Sequence, residues 1–202
     1  MIKHYNRVGE TMREFKTVLC LCILSCCVGF SGGVYFYHPQ SISKGYEPQV
    51  KVFFSPKGGC TEAITTIIGG AQKSILIQAY SFTSEPIVQA LIRAKERGVE
   101  VRVVLDRSQY EARSTAAVPL HSAGIEVRMD AKHSIAHSKV MIIDEQILIT
   151  GSFNFTRQAE ISNAENVLIM LNPDLAAAYV QNWNLHYEHS DPYNGETTRP
   201  RK

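Results

Sequence analysis

The chain has 202 residues, 45% of them hydrophobic and 20% charged, with a formal net charge of +2. That composition suits one globular domain with a sizeable core, plus a distinct N-terminal segment. From residue 34 onward seventeen basic residues balance seventeen acidic ones, so the excess comes from the N-terminus and a strongly basic nucleic-acid coat is excluded. Any handling of polyanions must rest on local placement of charge.

Residues 1–16 are polar and carry Lys3, Arg7, Arg13 and Lys16, whereas residues 17–37 contain no charge. The apolar heart, Val18 to Phe30, has the length of a signal-peptide h-region, and the wider stretch approaches the ~20 residues that span a bilayer. Three readings stand. A cleaved secretory signal comes first, because Ser31, Gly32 and Gly33 supply small residues for cleavage. An uncleaved signal anchor reaching Tyr37 is second. A lipoprotein signal ending at Cys26 is third, with Leu24 an awkward fit. A buried N-terminal helix ranks last, since the glycines and the aromatic "VYFY" would end it poorly. All three leading readings export the rest of the chain. The product is periplasmic or secreted after cleavage, and otherwise held through residues 17–37 with its domain across the membrane.

Four of the five cysteines (Cys20, Cys22, Cys26, Cys27) fall in this apolar segment. Only Cys60 remains beyond it, so no intrachain disulfide framework is expected there. Cys60 reads as an ordinary buried thiol, with an interchain bridge as the weaker alternative.

Residues 38–49, polar with two prolines, read as a linker. Val50–Ser55 reads as a strand and Thr61–Ala71 as a short helix with Thr61 as its N-cap. Ser74–Phe82 is a second, buried strand. Glu85–Gly98 reads as a helix: Ser84 can cap it, Pro86 sits in its first turn, Gly98 closes it, and Ile87, Val88, Leu91 and Ile92 recur at helical spacing. Val99–Asp106 is the next strand, completing a βαβ pattern. A looser helical stretch runs through Ala117 and is interrupted near Pro119. Gly124–Met129 is strand-like. "KVMIID" and "QILITG" flank a turn at Glu145 and predict a hairpin. Ala164–Leu171 is a further strand, Pro173–His189 an amphipathic helix, and residues 190–202 a flexible tail. The expected fold is α/β: a mixed, largely parallel sheet with helices on both faces, over residues 50–189.

The hairpin carries the chemistry. Residues two apart on a strand share a face, so His137 and Lys139 project together, as do Ser152 and Asn154 after the chain returns. Glu165 opens the following strand. An imidazole, an ammonium, a hydroxyl, an amide and a carboxylate thus converge at one end of a sheet, where ligand sites of open α/β sheets lie. These groups suit phosphoryl transfer. Histidine serves as nucleophile or acid near neutral pH, while lysine and asparagine neutralise and hydrogen-bond the phosphate oxygens. Taken singly, each residue has an ordinary structural reading, and Asp144 beside Glu145 is common turn chemistry. Their joint spacing carries the argument.

That spacing, H-x-K-x4-D-x6-G-S-x-N from His137 to Asn154, resembles the HKD motif of the phospholipase D superfamily. The downstream "NAEN" with Glu165 resembles the family's small bacterial endonuclease branch. The resemblance implies an α-β-α sandwich and a role for each matching position. His137 would be the nucleophile that forms a phosphohistidine. Lys139 and Asn154 would bind phosphate oxygens with Ser152 assisting, and Glu165 would hydrogen-bond His137. Asp144, at the far end of the strand, would play a structural part. Members with a full site use two such motifs, and this chain has one; His121, His133, His186 and His189 lack a partner lysine. The resemblance therefore implies a homodimer sharing one active site. It implies no cofactor and no metal, and Asp106, Asp130 and Asp144 are scattered without the usual ligand spacing. The implied substrate is DNA or RNA, cleaved without sequence preference. Phospholipid is the alternative substrate, and a non-catalytic binder of phosphate polymers a third reading.

Overall fold

The computed structural model describes residues 49–112 and 114–195. The segment read as a signal or anchor, nearly all of the expected linker and the end of the tail lie outside the described residues. Among those described, no helix is long and apolar enough to cross a membrane.

In chain order the elements are β1 (Gln49–Ser55), α1 (Cys60–Gly70), β2 (Ser74–Ala79), α2 (Glu85–Glu96), β3 (Glu100–Asp106), a 3-10 turn (Arg107–Tyr110), α3 (Ala117–Ser122), β4 (Glu126–Asp130), β5 (Lys139–Ile143), β6 (Ile147–Gly151), α4 (Arg157–Ile161), β7 (Glu165–Leu171), α5 (Pro173–His189) and β8 (Asp191–Pro192). The strands form one eight-stranded sheet in the order β1-β7-β6-β5-β2-β3-β4-β8. It is mixed, as expected, but its parallel share is smaller than expected. Only β2-β3 and β3-β4 run parallel; the other five pairings are antiparallel. The reason is connection length. Helical crossovers join β2, β3 and β4, whereas β5 and β6 are joined by a tight turn that permits only antiparallel pairing.

Two apolar layers hold the sheet. On one face α1, α2 and α3 bury Ile64, Ile68, Ile87, Leu91 and Leu120 against Ile75, Ile77, Val103 and Met141. On the other, α5 packs Ala176 and Trp183 against Leu76, Val104, Val140 and Ile142. Trp183 Nε1 donates to the Ile77 carbonyl at 2.9 Å, so the buried indole loses no hydrogen bond.

Several local expectations are revised. Thr61 is not the N-cap of α1. The helix begins at Cys60 after Gly59, and the cap is supplied from α4: Gly59 N and Thr61 N donate to the Glu160 carboxylate at 3.2 and 2.7 Å. A carboxylate there also complements the helix dipole. Pro119 does not interrupt a helix but sits in the first turn of α3, where its missing N–H costs nothing. The tail is not loose at its start: Asp191 and Pro192 pair with β4, and Tyr193 is buried. Cys60 is fully buried, beyond reach of an interchain bridge, and burial followed by the Glu160 charge pushes its thiol up to about 11.

Candidate active site

The carboxyl ends of β1, β2, β3, β4 and β6 and the amino ends of β5 and β7 lie at one end of the sheet. His137, Lys139, Ser152, Asn154 and Glu165 all belong to that end. Register places them: Lys139 opposes Ala79, Gly151 opposes Val167, and Ser55 opposes Glu165.

His137 is exposed and precedes β5. Its ring packs on Tyr80, centroids 4.5 Å apart and tilted by 54°. Lys139 is buried, with its Nζ donating to the His137 carbonyl at 2.6 Å and lying 5.1 Å from the Tyr80 ring centre. Burial lowers its pKa from the ordinary lysine value, and the Glu165 charge pulls the other way. The ammonium is therefore held largely out of water against the His137 carbonyl, where a phosphate would be its strongest available partner.

Gly151 has φ 150°, and a Cβ there would stand 2.3 Å from the Asn166 carbonyl oxygen. This close approach lets Ser152 and Asn166 exchange hydrogen bonds: Ser152 N donates to Asn166 Oδ1 at 3.0 Å, and Asn166 N donates to Ser152 Oγ at 3.1 Å. The serine oxygen is thus fixed as an acceptor while its own proton remains available to a ligand. Asn154 Oδ1 is buried without a hydrogen-bond partner. Rotating the amide by a half-turn offers a donor from the same place. A buried amide oxygen without a partner is costly, and it suits a position completed by a bound group.

Glu165 takes a different partner from the one expected. Its Oε1 accepts from Asn163 Nδ2 at 3.0 Å, and within the single chain it makes no hydrogen bond with His137, whose ring lies against Tyr80 instead. Asp144 stands apart, at the opposite end of β5. It accepts from Gln72 N, Lys73 N and Ser74 N at 2.9, 2.7 and 3.0 Å. Burial would raise its pKa, but these three donors and the Lys73 charge hold the carboxyl below its usual value. Asp144 and Glu145 have φ of 55° and 56° at the hairpin turn, a conformation that Asp tolerates.

Sequence reasoning missed Tyr80 and Asn166. Tyr80 follows β2 and Asn166 is the second residue of β7, and only the folded chain shows what they touch. It also missed a convergence of metal-binding residue types. The aspartates are indeed scattered, but Asp130 is met by His133, His186 and His189, which come from other parts of the chain.

The segments leaving this end of the sheet carry the cations Lys57, Arg107, Lys132 and Arg157, against the exposed acids Glu62, Glu85 and Glu111. Local charge of this kind draws anions although the domain as a whole is balanced.

A family model described as cardiolipin synthase, PLD-like domain, matches residues 64–186. The chain is 45% identical over 143 residues to a phospholipase D of Rickettsia conorii, covering 71% of this chain and 72% of the relative. It is 36% identical over 123 residues to a mitochondrial cardiolipin hydrolase of Xenopus laevis, covering 61% and 59%. The crystal structure of Nuc from Salmonella typhimurium, a phospholipase D family member, superposes with a TM-score of 0.71 at 38% identity, covering 73% of this chain and 99% of that one.

Proposed function

The chain belongs to the phospholipase D superfamily and is a phosphodiesterase of that family, and from this premise we propose that it cleaves nucleic acid through a phosphohistidine. The observation that carries the reading is the presence of an exposed imidazole (His137), a buried ammonium (Lys139) and an amide with an unpaired buried oxygen (Asn154) at one end of the sheet.

In the proposed reaction an imidazole nitrogen of His137 attacks phosphorus. The leaving oxygen takes a proton from a second imidazole. Water then attacks the phosphohistidine, giving up its proton to that second imidazole and restoring both groups. Lys139, Asn154 and the Ser152 hydroxyl hold the phosphate oxygens and stabilise the charge that grows on them. Glu165 tempers the Lys139 charge; to orient an imidazole it would have to leave Asn163. Asp144 fixes the far end of β5.

The second imidazole is proposed to be His137 of another copy in a homodimer. Two features support this. No second histidine–lysine pair accompanies His137, and the edge strand β1 exposes an apolar stripe, Val50, Val52 and Phe54, whose end lies opposite Asn166. A copy covering that stripe would also meet the site.

Nucleic acid is preferred as substrate because Lys57, Arg107, Lys132 and Arg157 surround this end of the sheet, suiting a ligand with several phosphates. Phospholipid is the alternative, favoured by the names of the Rickettsia and Xenopus relatives. The deciding experiment offers the purified protein single-stranded DNA, duplex DNA and phosphatidylcholine vesicles in parallel, each beside His137→Ala. Cleavage of DNA but not lipid, abolished in the variant, supports the proposal. Lipid turnover without DNA cleavage overturns the substrate, and full activity of the variant overturns the mechanism. Export of the domain, by a cleaved signal or an anchor, is part of the same proposal and is checked by the N-terminal sequence of the mature protein.

A further inference from the structure

Asp130 closes β4 with its side chain fully buried, and three imidazoles converge on one of its oxygens. His133 Nδ1 and His186 Nδ1 each lie 2.9 Å from Oδ2, and His189 Nε2 lies 3.2 Å from it. The other oxygen is already committed. Oδ1 accepts from Lys132 N and His133 N at 3.1 and 3.3 Å, which folds the loop back and brings the His133 ring over the carboxylate. The remaining two rings are three residues apart in the last turn of α5, on one face. That helix end is itself fixed: Arg128 Nε and Nη2 donate to the Ser190 carbonyl at 3.1 and 2.5 Å, and Ser190 Oγ donates to the His186 carbonyl.

Hydrogen bonding alone does not satisfy this cluster. The Oδ2 atom can accept from His133 and His186, but His189 Nε2 is out of line and stays buried without a hydrogen-bond partner. If that nitrogen carries a proton, it faces Asp130 Oδ2 at 3.2 Å but out of line for a hydrogen bond. If it carries a lone pair, the lone pair faces a carboxylate oxygen. A cation at the centre removes both difficulties, because it accepts a lone pair from each imidazole and neutralises the buried carboxylate.

The dimensions agree. Zinc bound tetrahedrally at 2.0–2.1 Å separates its ligand atoms by roughly 3.3 Å. The three oxygen-to-nitrogen edges here are 2.9, 2.9 and 3.2 Å, and all four ligand atoms lie within 4.8 Å of one another. The nitrogen-to-nitrogen edges reach no further than 4.8 Å, and the three imidazoles, all partly exposed, must draw together to close them around an ion. Three imidazoles and one carboxylate form a donor set for zinc rather than for calcium or magnesium, which prefer oxygen.

We propose that Asp130, His133, His186 and His189 form a zinc site outside the phosphodiesterase centre. Its role is structural. The ion joins the end of β4 and the C-terminal turn of α5 to the loop that leads into His137. His133 is four residues before His137, so their Cα atoms are at most ~14 Å apart. The same loop is held further along by Asp106, whose Oδ2 accepts from Ala136 N at 2.7 Å. The ion would stiffen the approach to His137 without touching substrate, so the site is independent of which phosphodiester is cleaved.

The test uses untagged protein, since a histidine tag would bind metal itself. Elemental analysis and titration with Zn²⁺ should find one equivalent per chain. Saturating Zn²⁺ should raise the melting temperature of chelator-stripped protein by about 5–10 °C. Co²⁺ in its place should give the intense visible absorption of a four-coordinate ion. His189→Gln and His133→Gln should each weaken binding by at least ~100-fold and remove the thermal shift, while His137→Ala should still bind one equivalent. If stripped protein shows no thermal shift and no cobalt spectrum, the site does not exist. The same holds if both persist unchanged in His189→Gln and His133→Gln, or if His137→Ala alone abolishes binding.

Discussion

Lys139 and His137 share one aromatic surface: the lysine Nζ lies 5.1 Å from the centre of the Tyr80 ring, and the imidazole packs on the same ring at 4.5 Å. The lysine is also buried, and its pKa is lowered from 10.5. Two pH effects follow with opposite signs. The folded protein holds this proton less tightly than the unfolded chain, so stability rises as pH climbs from the lowered value toward 10.5. Activity falls over the same window because the phosphate loses its cation. Lys139→Met should therefore cost ~100-fold or more in rate while the melting temperature does not drop. Paired rate and melting measurements from pH 7 to 10.5 check this, and a variant that melts much earlier than wild type would show the lysine to be structural.

Gly151 should not accept a side chain. A methyl group there would meet the Asn166 carbonyl at 2.3 Å and Asn166 Oδ1 at 2.6 Å. Gly151→Ala must push β6 from β7 and break the Ser152–Asn166 exchange. The expected cost is about 1–3 kcal/mol in denaturant unfolding, with a fall in rate that persists once the fraction folded is corrected for.

Asp144 should behave as a structural residue despite its place in the motif. Removing its carboxylate leaves three backbone N–H groups at Gln72, Lys73 and Ser74 without their partner. Asp144→Ala should lose about 1–2 kcal/mol, since water can reach two of the three donors, and its rate per folded chain should stay within a few-fold of wild type. Because the folded pKa is depressed, the stabilisation is present above the unfolded carboxylate value and disappears as pH falls through the folded value. Wild type should thus lose more stability on acidification than the variant, which urea titrations at pH 7 and pH 3 will show.

The dimer proposal has its own test. Co-expressed wild-type and His137→Ala subunits form mixed dimers with one imidazole. If both imidazoles act, a statistical 1:1 mixture retains about a quarter of wild-type activity, whereas independent subunits retain half. Sedimentation of the purified chain shows whether dimers form at all.

The sequence carried those parts of the molecule that local periodicity controls. The bounds of α5 match, and α2 and the β5–β6 hairpin lie where apolar spacing and turn residues put them. Long-range pairing was not legible. Composition shows that β5, β6 and β7 are strands, but not that their ladders outnumber the parallel ones. The cap of α1 comes from Glu160, about a hundred positions away, so the local rule chose Thr61. The Asp130 cluster was hidden for the same reason. Asp130 and His133 come from the end of β4 and its loop, His186 and His189 from a helix more than fifty residues later, and no spacing rule joins them. His137, Lys139 and Asn154 were legible because one hairpin brings them together. Tyr80 was not, because a neighbouring strand supplies it.

The direction of β1 has a practical consequence. Gln49 opposes Leu171 and Ser55 opposes Glu165, so the strand starts at the end of the sheet remote from His137 and finishes beside it. Seven residues of strand separate the two ends by about 20 Å. The domain thus has a handle and a working tip. A support, a fluorophore or a fused protein joined ahead of Gln49 meets the handle, and the tip stays open to long substrates.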